Sequence, residues 1–124
     1  MSDKPIRAIF LRTDGKCFLI DIKNDTRKFQ AAVGGYIKSL YLDISDEIAL
    51  IIDDDGLFKE KPMNEPASIF AKGIAGNVLV VGRCGDAFCS VPSSAVEFVS
   101  TRFPLIQLEG QLDYKRYLED NHYV

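Results

Sequence analysis

The chain has 124 residues, 47% of them apolar and 27% charged, with a net charge of −3. This is enough chain to bury a core without a metal or disulfide staple, and its composition excludes global disorder. No apolar run approaches the ~20 residues of a membrane-spanning helix, and the absence of a basic excess argues against tight non-specific nucleic-acid binding.

In chain order, Ile6–Arg12 reads as a strand, Asp14-Gly15 as a tight turn, and Cys17–Ile22 as the partner strand of a hairpin. Asn24 or Asp25 is placed to cap a short helix through Arg27, Phe29, Ala31 and Ala32, and Gly34-Gly35 is placed to end it. Tyr36–Leu42 and Glu47–Asp53 read as the next two strands, the second apolar enough to lie centrally. Asp54-Asp55-Gly56 marks a turn, and Leu57–Lys61 an edge strand or loop. Asn64 is positioned to cap a short helix over Glu65–Ala71, with Pro66 in its first turn. Ile74–Val81 is a third strongly apolar strand, with Gly76 as a bulge or close approach, and 82–90 reads as a loop. Ser90 or Ser93 is expected to cap a last helix carrying Val96, Phe98, Val99 and Phe103, which Pro104 stops.

Together these elements predict an α+β fold: a mainly antiparallel sheet of about five to six strands, with two to three short helices on one face. No repeat or linker divides the chain, so residues 1–124 are expected to form a single domain, with 105–124 as a docked or flexible C-terminal tail. In that tail Leu112, Tyr114, Tyr117 and Leu118 are spaced for a short docked or oligomer-forming helix.

Charge is unevenly placed. Residues 1–38 hold eight Lys/Arg against four Asp/Glu, whereas residues 39–55 hold six acids and no base. Lys4, Arg7, Arg12, Lys23, Arg27 and Lys28 form a candidate basic face, and Asp43, Asp46, Glu47 and Asp55 a candidate acidic surface for a basic partner. The Asp53–Asp55 run suits a hard cation by residue type but lacks the spacing of a calcium loop, so a solvated turn is expected and no metal is assigned. Cys84 and Cys89 have no second ligand pair for zinc. With three cysteines in all, free thiols in a reducing, cytoplasmic setting are expected. His122, the one histidine, lies three residues from the end, where a catalytic Cys–His pair has little to hold it. The glycines around residues 73–85 match no nucleotide fingerprint, so no cofactor is expected.

The segments Phe29-Gln30-Ala31-Ala32-Val33-Gly34-Gly35-Tyr36-Ile37, Asp53-Asp54-Asp55-Gly56, Pro62-Met63-Asn64 and Ile74-Ala75-Gly76-Asn77-Val78-Leu79-Val80-Val81-Gly82 occur in that order. In this the chain resembles a family of small domains of unknown function encoded by bacteriophages, plasmids and related mobile elements. Its usual pattern is V-G-G-Y/W-I-E, N-E-E-G, L-N-R-x-A, then I-A-G before a V-V-G strand. Here Asp53 stands for the family's asparagine, Lys38 for the acid and Glu65 for the arginine. The resemblance implies an accessory factor of a mobile element acting in a bacterial host cell, and carries no reaction with it.

Tyr36, Asp54, Asn64 and Arg83 are the candidate ligand or partner contacts. The leading expectation is a non-enzymatic binding module that inhibits or modulates a host protein in a counter-defence role, acting by occupying that protein or by forming a homo-oligomer whose interface creates a ligand site. The alternatives are a protein that sequesters a nucleotide-like small ligand, with Tyr36, Phe70 or Arg83 against it, and a metal-dependent hydrolase using Asp53–Asp55.

Overall fold

A computed structural model describes residues 4–42 and 45–111. Asp43, His122 and the aromatic residues of the tail lie outside the described residues, and so do the readings that rest on them.

Among the described residues seven strands form one sheet: β1 (Pro5–Leu11), β2 (Cys17–Lys23), β3 (Ile37–Leu42), β4 (Ser45–Asp53), β5 (Val78–Cys84), β6 (Ala87–Cys89) and β7 (Leu105–Gln111). The strands run in the order β3-β4-β5-β1-β2-β7, and β6 pairs with β5. Helix α1 (Thr26–Val33) follows β2 and helix α2 (Ser93–Ser100) follows β6. A single 3-10 turn (Pro66–Ile69) lies between β4 and β5.

Local signals explain most of the boundaries. The Asp25 carboxylate accepts the Arg27 N–H at 2.8 Å and starts α1. Gly34, at φ 83°, ends it by returning its N–H to the Gln30 carbonyl. The Asn64 Oδ1 accepts the Ala67 N–H at 2.9 Å and starts the 3-10 turn, where the sequence predicts a longer helix. The cap expected for α2 does not form. Pro92, whose ring carries no acceptor, occupies that position; Ser93 is already the first helical residue, and the Ser90 hydroxyl accepts the Arg7 N–H of β1.

The α+β class holds, with three corrections to the architecture. The sheet has seven strands and is mixed, because β7 lies parallel to β2, with Leu105 opposite Cys17. Segment 82–90 is a hairpin rather than a loop: Arg83 faces Phe88 and Cys84 faces Ala87 across Gly85-Asp86. Helices cover both faces, not one. Phe29, Ala32 and Val33 of α1 pack with Ala8, Phe10, Ile20, Ile51 and Leu79. Ala95 and Val99 of α2, with Ala67, pack with Ile9, Leu11, Leu50, Val78 and Val80. The alternation of β1 and β5 residues between these two groups requires both faces to be covered, since successive strand residues point to opposite sides.

Antiparallel pairing sorts the remaining features to the two ends of the sheet. Ile37 opposite Asp53, Ile51 opposite Leu79 and Leu11 opposite Val78 define one end, which also holds the α1–β3 and β4–β5 connections. Ile48 opposite Gly82 and Pro5 opposite Lys23 define the other, which carries the β5–β6 hairpin.

Candidate functional site

At the Asp53 end the α1–β3 and β4–β5 connections meet around one carboxylate. Asp53 is the last residue of β4 and its side chain is fully buried. Its Oδ2 accepts from the Lys61 ammonium at 2.6 Å and from the Lys59 ammonium at 3.0 Å, while its Oδ1 accepts the Asp55 N–H at 3.0 Å. Lys61 Nζ also donates to the carbonyls of Val33 at 3.0 Å and Gly34 at 3.2 Å, and Lys59 Nζ reaches the Gly34 carbonyl at 3.4 Å. The two ammonium groups therefore cap the carbonyl end of α1, where a cation is favoured by the helix dipole and by carbonyls lacking intrahelical partners.

The glycine pair makes this approach possible. A Cβ on Gly35 would sit 2.5 Å from Asp53 Oδ1 and 2.6 Å from Lys59 Nζ, so no side chain fits there. Burial by itself would raise the Asp53 pKa. The bonds from Lys61, the Asp55 N–H and Lys59 outweigh it and hold the carboxyl below its ordinary value. Lys61 has three ammonium hydrogens and three acceptors, so no donor is left for a substrate.

Around this centre the surface is apolar and aromatic. Phe58 is 90% exposed, Tyr36 76%, Leu57 65% and Met63 54%. Backbone bonds hold them to the same end: the Asp54 N–H donates to the Tyr36 carbonyl, Lys61 N–H to Gly56, and Gly76 N–H to Pro62. The exposed acids Asp54, Asp55, Glu60 and Glu65 surround them in sequence.

The sequence-predicted contacts divide between the two ends. Tyr36 and Asp54 are brought together here. Asn64 is buried at the same end, but its amide is engaged within the chain: Nδ2 donates to the Leu11 and Gly76 carbonyls at 2.9 Å each, and Oδ1 takes the Ala67 N–H. Arg83 lies at the opposite end, its guanidinium 4.2 Å from the centre of the Tyr41 ring. The acidic stretch is divided in the same way, with Asp46 and Glu47 at the start of β4 and Asp55 past its end. Arg12 leaves the predicted basic face, because it is buried, paired with Asp14 at 2.6 Å and stacked over Phe18. Sequence reading did not single out Lys59, Lys61, Leu57, Phe58 or Met63 as site residues. The relation of the two lysines to Asp53 depends on the Gly34 carbonyl, 25 residues before Lys59 in the chain.

Phe70 lines a separate open cavity of about 170 Å³ with Ser45, Ile48, Ser94, Ala95 and Phe98. Ligand pockets commonly span ~300–1,000 Å³. Neither Tyr36 nor Arg83 lines this cavity. Among the described residues no group of three or more His, Cys, Asp or Glu side chains converges, and a cation at Asp53 would have to displace two ammonium groups. No helix among them is long and apolar enough to cross a membrane.

The thiol reading requires a further correction. Cys84 and Cys89 are joined in a disulfide, with Cα atoms 5.9 Å apart, and only Cys17 is free. The hairpin turn at Gly85-Asp86 puts both side chains on one face of the ribbon, which the spacing of a loop would not.

A family model described as "Domain of unknown function (DUF3846)" matches residues 6–104. The chain belongs to that family. The match runs from β1 to the turn after α2, so it takes in all the elements that build the lysine–aspartate centre. No curated protein and no solved structure matches the chain. Within this DUF3846 domain the glycine pair, the acidic turn and the Ile-Ala-Gly segment serve one local arrangement. They bring the α1–β3 and β4–β5 connections close enough for the lysines of one to cap the helix of the other.

Proposed function

We propose that the protein is a non-enzymatic binding module that occupies a host protein through the Asp53 end of its sheet. The observation that carries this reading is the placement of Tyr36, Leu57, Phe58 and Met63, four large exposed apolar side chains, at the one end of the sheet whose buried charged groups satisfy one another. Clustered exposed apolar side chains with a polar rim mark interaction surfaces, and aromatic residues and methionine are enriched in their cores. The acidic rim of Asp54, Asp55, Glu60 and Glu65 favours a partner with a basic rim around an apolar socket, and it disfavours nucleic acid. It also weighs against a second copy of the same face, because the two acidic rims would repel. The mobile-element origin that the resemblance implies supports a partner in the cytoplasm of a bacterial host, where the module would act as an inhibitor or modulator in counter-defence.

The test is affinity capture from a host lysate with the wild type and with Tyr36→Ser/Phe58→Ser, followed by titration of the purified captured protein against both. Direct binding that the double variant loses supports the proposal, and equal binding by the two refutes this surface. Native mass spectrometry of freshly purified protein addresses the small-ligand alternative. A co-purifying nucleotide-sized mass would replace the host-protein reading, and a homo-oligomer that Tyr36→Ser/Phe58→Ser dissociates would make the surface a self-association face.

A further inference from the structure

At the opposite end of the sheet the disulfide is set in a hairpin that holds part of the core. Cys84 flanks the Gly85-Asp86 turn and is exposed, whereas Cys89 lies diagonally across the ribbon, opposite Gly82, and is half-buried. Gly82 leaves room for it: a Cβ there would stand 2.9 Å from Cys89 Sγ. Between the cysteines Phe88 turns inward and meets Phe29 of α1 edge-on, with ring centres 5.8 Å apart, and its carbonyl accepts from the Asn24 side chain at 3.0 Å. The chain leaving β6 is tied to β1 through Ser90 and Val91. A three-residue strand has few ladder bonds of its own, so the disulfide is the short covalent link that keeps these contacts in register.

We propose that Cys84–Cys89 is a reversible thiol–disulfide exchange site whose co-reactant is a dithiol reductant, small or protein-borne, and whose state sets the order of the β5–β6 hairpin. A reductant thiolate attacks the sulfur of Cys84, the more exposed of the two residues, and expels Cys89 as thiolate, leaving Cys84 in a mixed disulfide with the reductant. The second reductant thiol then attacks its own sulfur in that bond and releases Cys84. Two electrons and two protons pass to the protein, and the reductant leaves as its disulfide. The third cysteine stays out of the exchange. Cys17 is buried at the far end of β2, its thiol pushed up to about 11 by burial and by the Asp14 charge.

The wild-type protein is sufficient for the test. Under native conditions, with and without dithiothreitol, thiols are alkylated and mapped by mass spectrometry, and amide hydrogen exchange is followed along the chain. The expected result is no alkylation at Cys84 or Cys89 before reduction and alkylation of both after it. Exchange across residues 83–91 should become roughly 10- to 30-fold faster, with strand β4 unchanged. Oxidised dithiothreitol should restore the intramolecular Cys84–Cys89 bond and the original exchange rates. The proposal is overturned by thiols that react before reduction, by a bond that resists the reductant in the folded protein, or by exchange rates that reduction leaves unchanged. Global unfolding on reduction, or disulfide-linked dimers on reoxidation, would overturn it as well.

Discussion

Replacing Asp53 with asparagine removes one charge from the centre and almost no volume. The Oδ1 bond from the Asp55 N–H survives the change, but the 2.6 and 3.0 Å bonds from Lys61 and Lys59 lose their anion. Breaking a fully buried ion pair by removing one partner costs about 3–5 kcal/mol. Here the lysine side chains are 24% and 41% exposed and can turn to water, which brings the expected loss to about 2 kcal/mol. For a domain of this size that is a fall of roughly 8 °C in melting temperature, measured by circular dichroism at pH 7. The pH dependence carries the sign. The folded-state pKa of Asp53 lies below its unfolded value, so its contribution is fully present above the unfolded value near ~4 and is lost as pH falls through the folded one. The gap between wild type and Asp53→Asn should therefore close in acid. Equal melting temperatures at pH 7, or a gap that persists below the folded pKa, would refute the account of the centre.

Three other outcomes follow from the same geometry. Gly35→Ala should destabilise the domain by roughly 2–3 kcal/mol in thermal or urea melts, because its Cβ has no space between Asp53 Oδ1 and Lys59 Nζ. Asn64→Asp should cost more than Asn64→Ala at neutral pH, about 3 kcal/mol or more in urea denaturation, since it points a carboxylate at the Leu11 and Gly76 carbonyls that now accept from the amide. Phe58→Ala should leave the melting curve within about 0.5 kcal/mol of wild type, because that ring is almost wholly in solvent.

What the sequence made legible is local. Asp25, Gly34 and Asn64 act within four residues of their own positions, so their capping roles can be read from residue type and spacing. The apolar runs of β1, β2, β4 and β5 announce buried strands for the same reason. What stayed hidden depends on pairing between distant segments. Leu105–Gln111 is unremarkable by composition and becomes a strand only because β2 offers an open edge to it. The placement of α1 and α2 on opposite faces is set by where β5 enters between β4 and β1, which no single segment encodes. Lys59 and Lys61 look like solvated loop charges until Asp53 and the end of α1 are brought beneath them. Tyr36 and Asp54, two of the four candidate contacts, lie together. Arg83 lies apart from them, because chain order says nothing about which end of a sheet a strand terminus reaches.

The most direct test of the binding surface is to immobilise the wild type, Tyr36→Ser/Phe58→Ser and Asp54→Lys/Asp55→Lys, and to measure a purified captured host protein against each at low and high salt. The account predicts strong binding to the wild type, loss with the aromatic pair removed, and weakened, less salt-sensitive binding with the acids reversed. A partner that binds all three proteins equally would place its contact elsewhere on the molecule and contradict the assignment of this face.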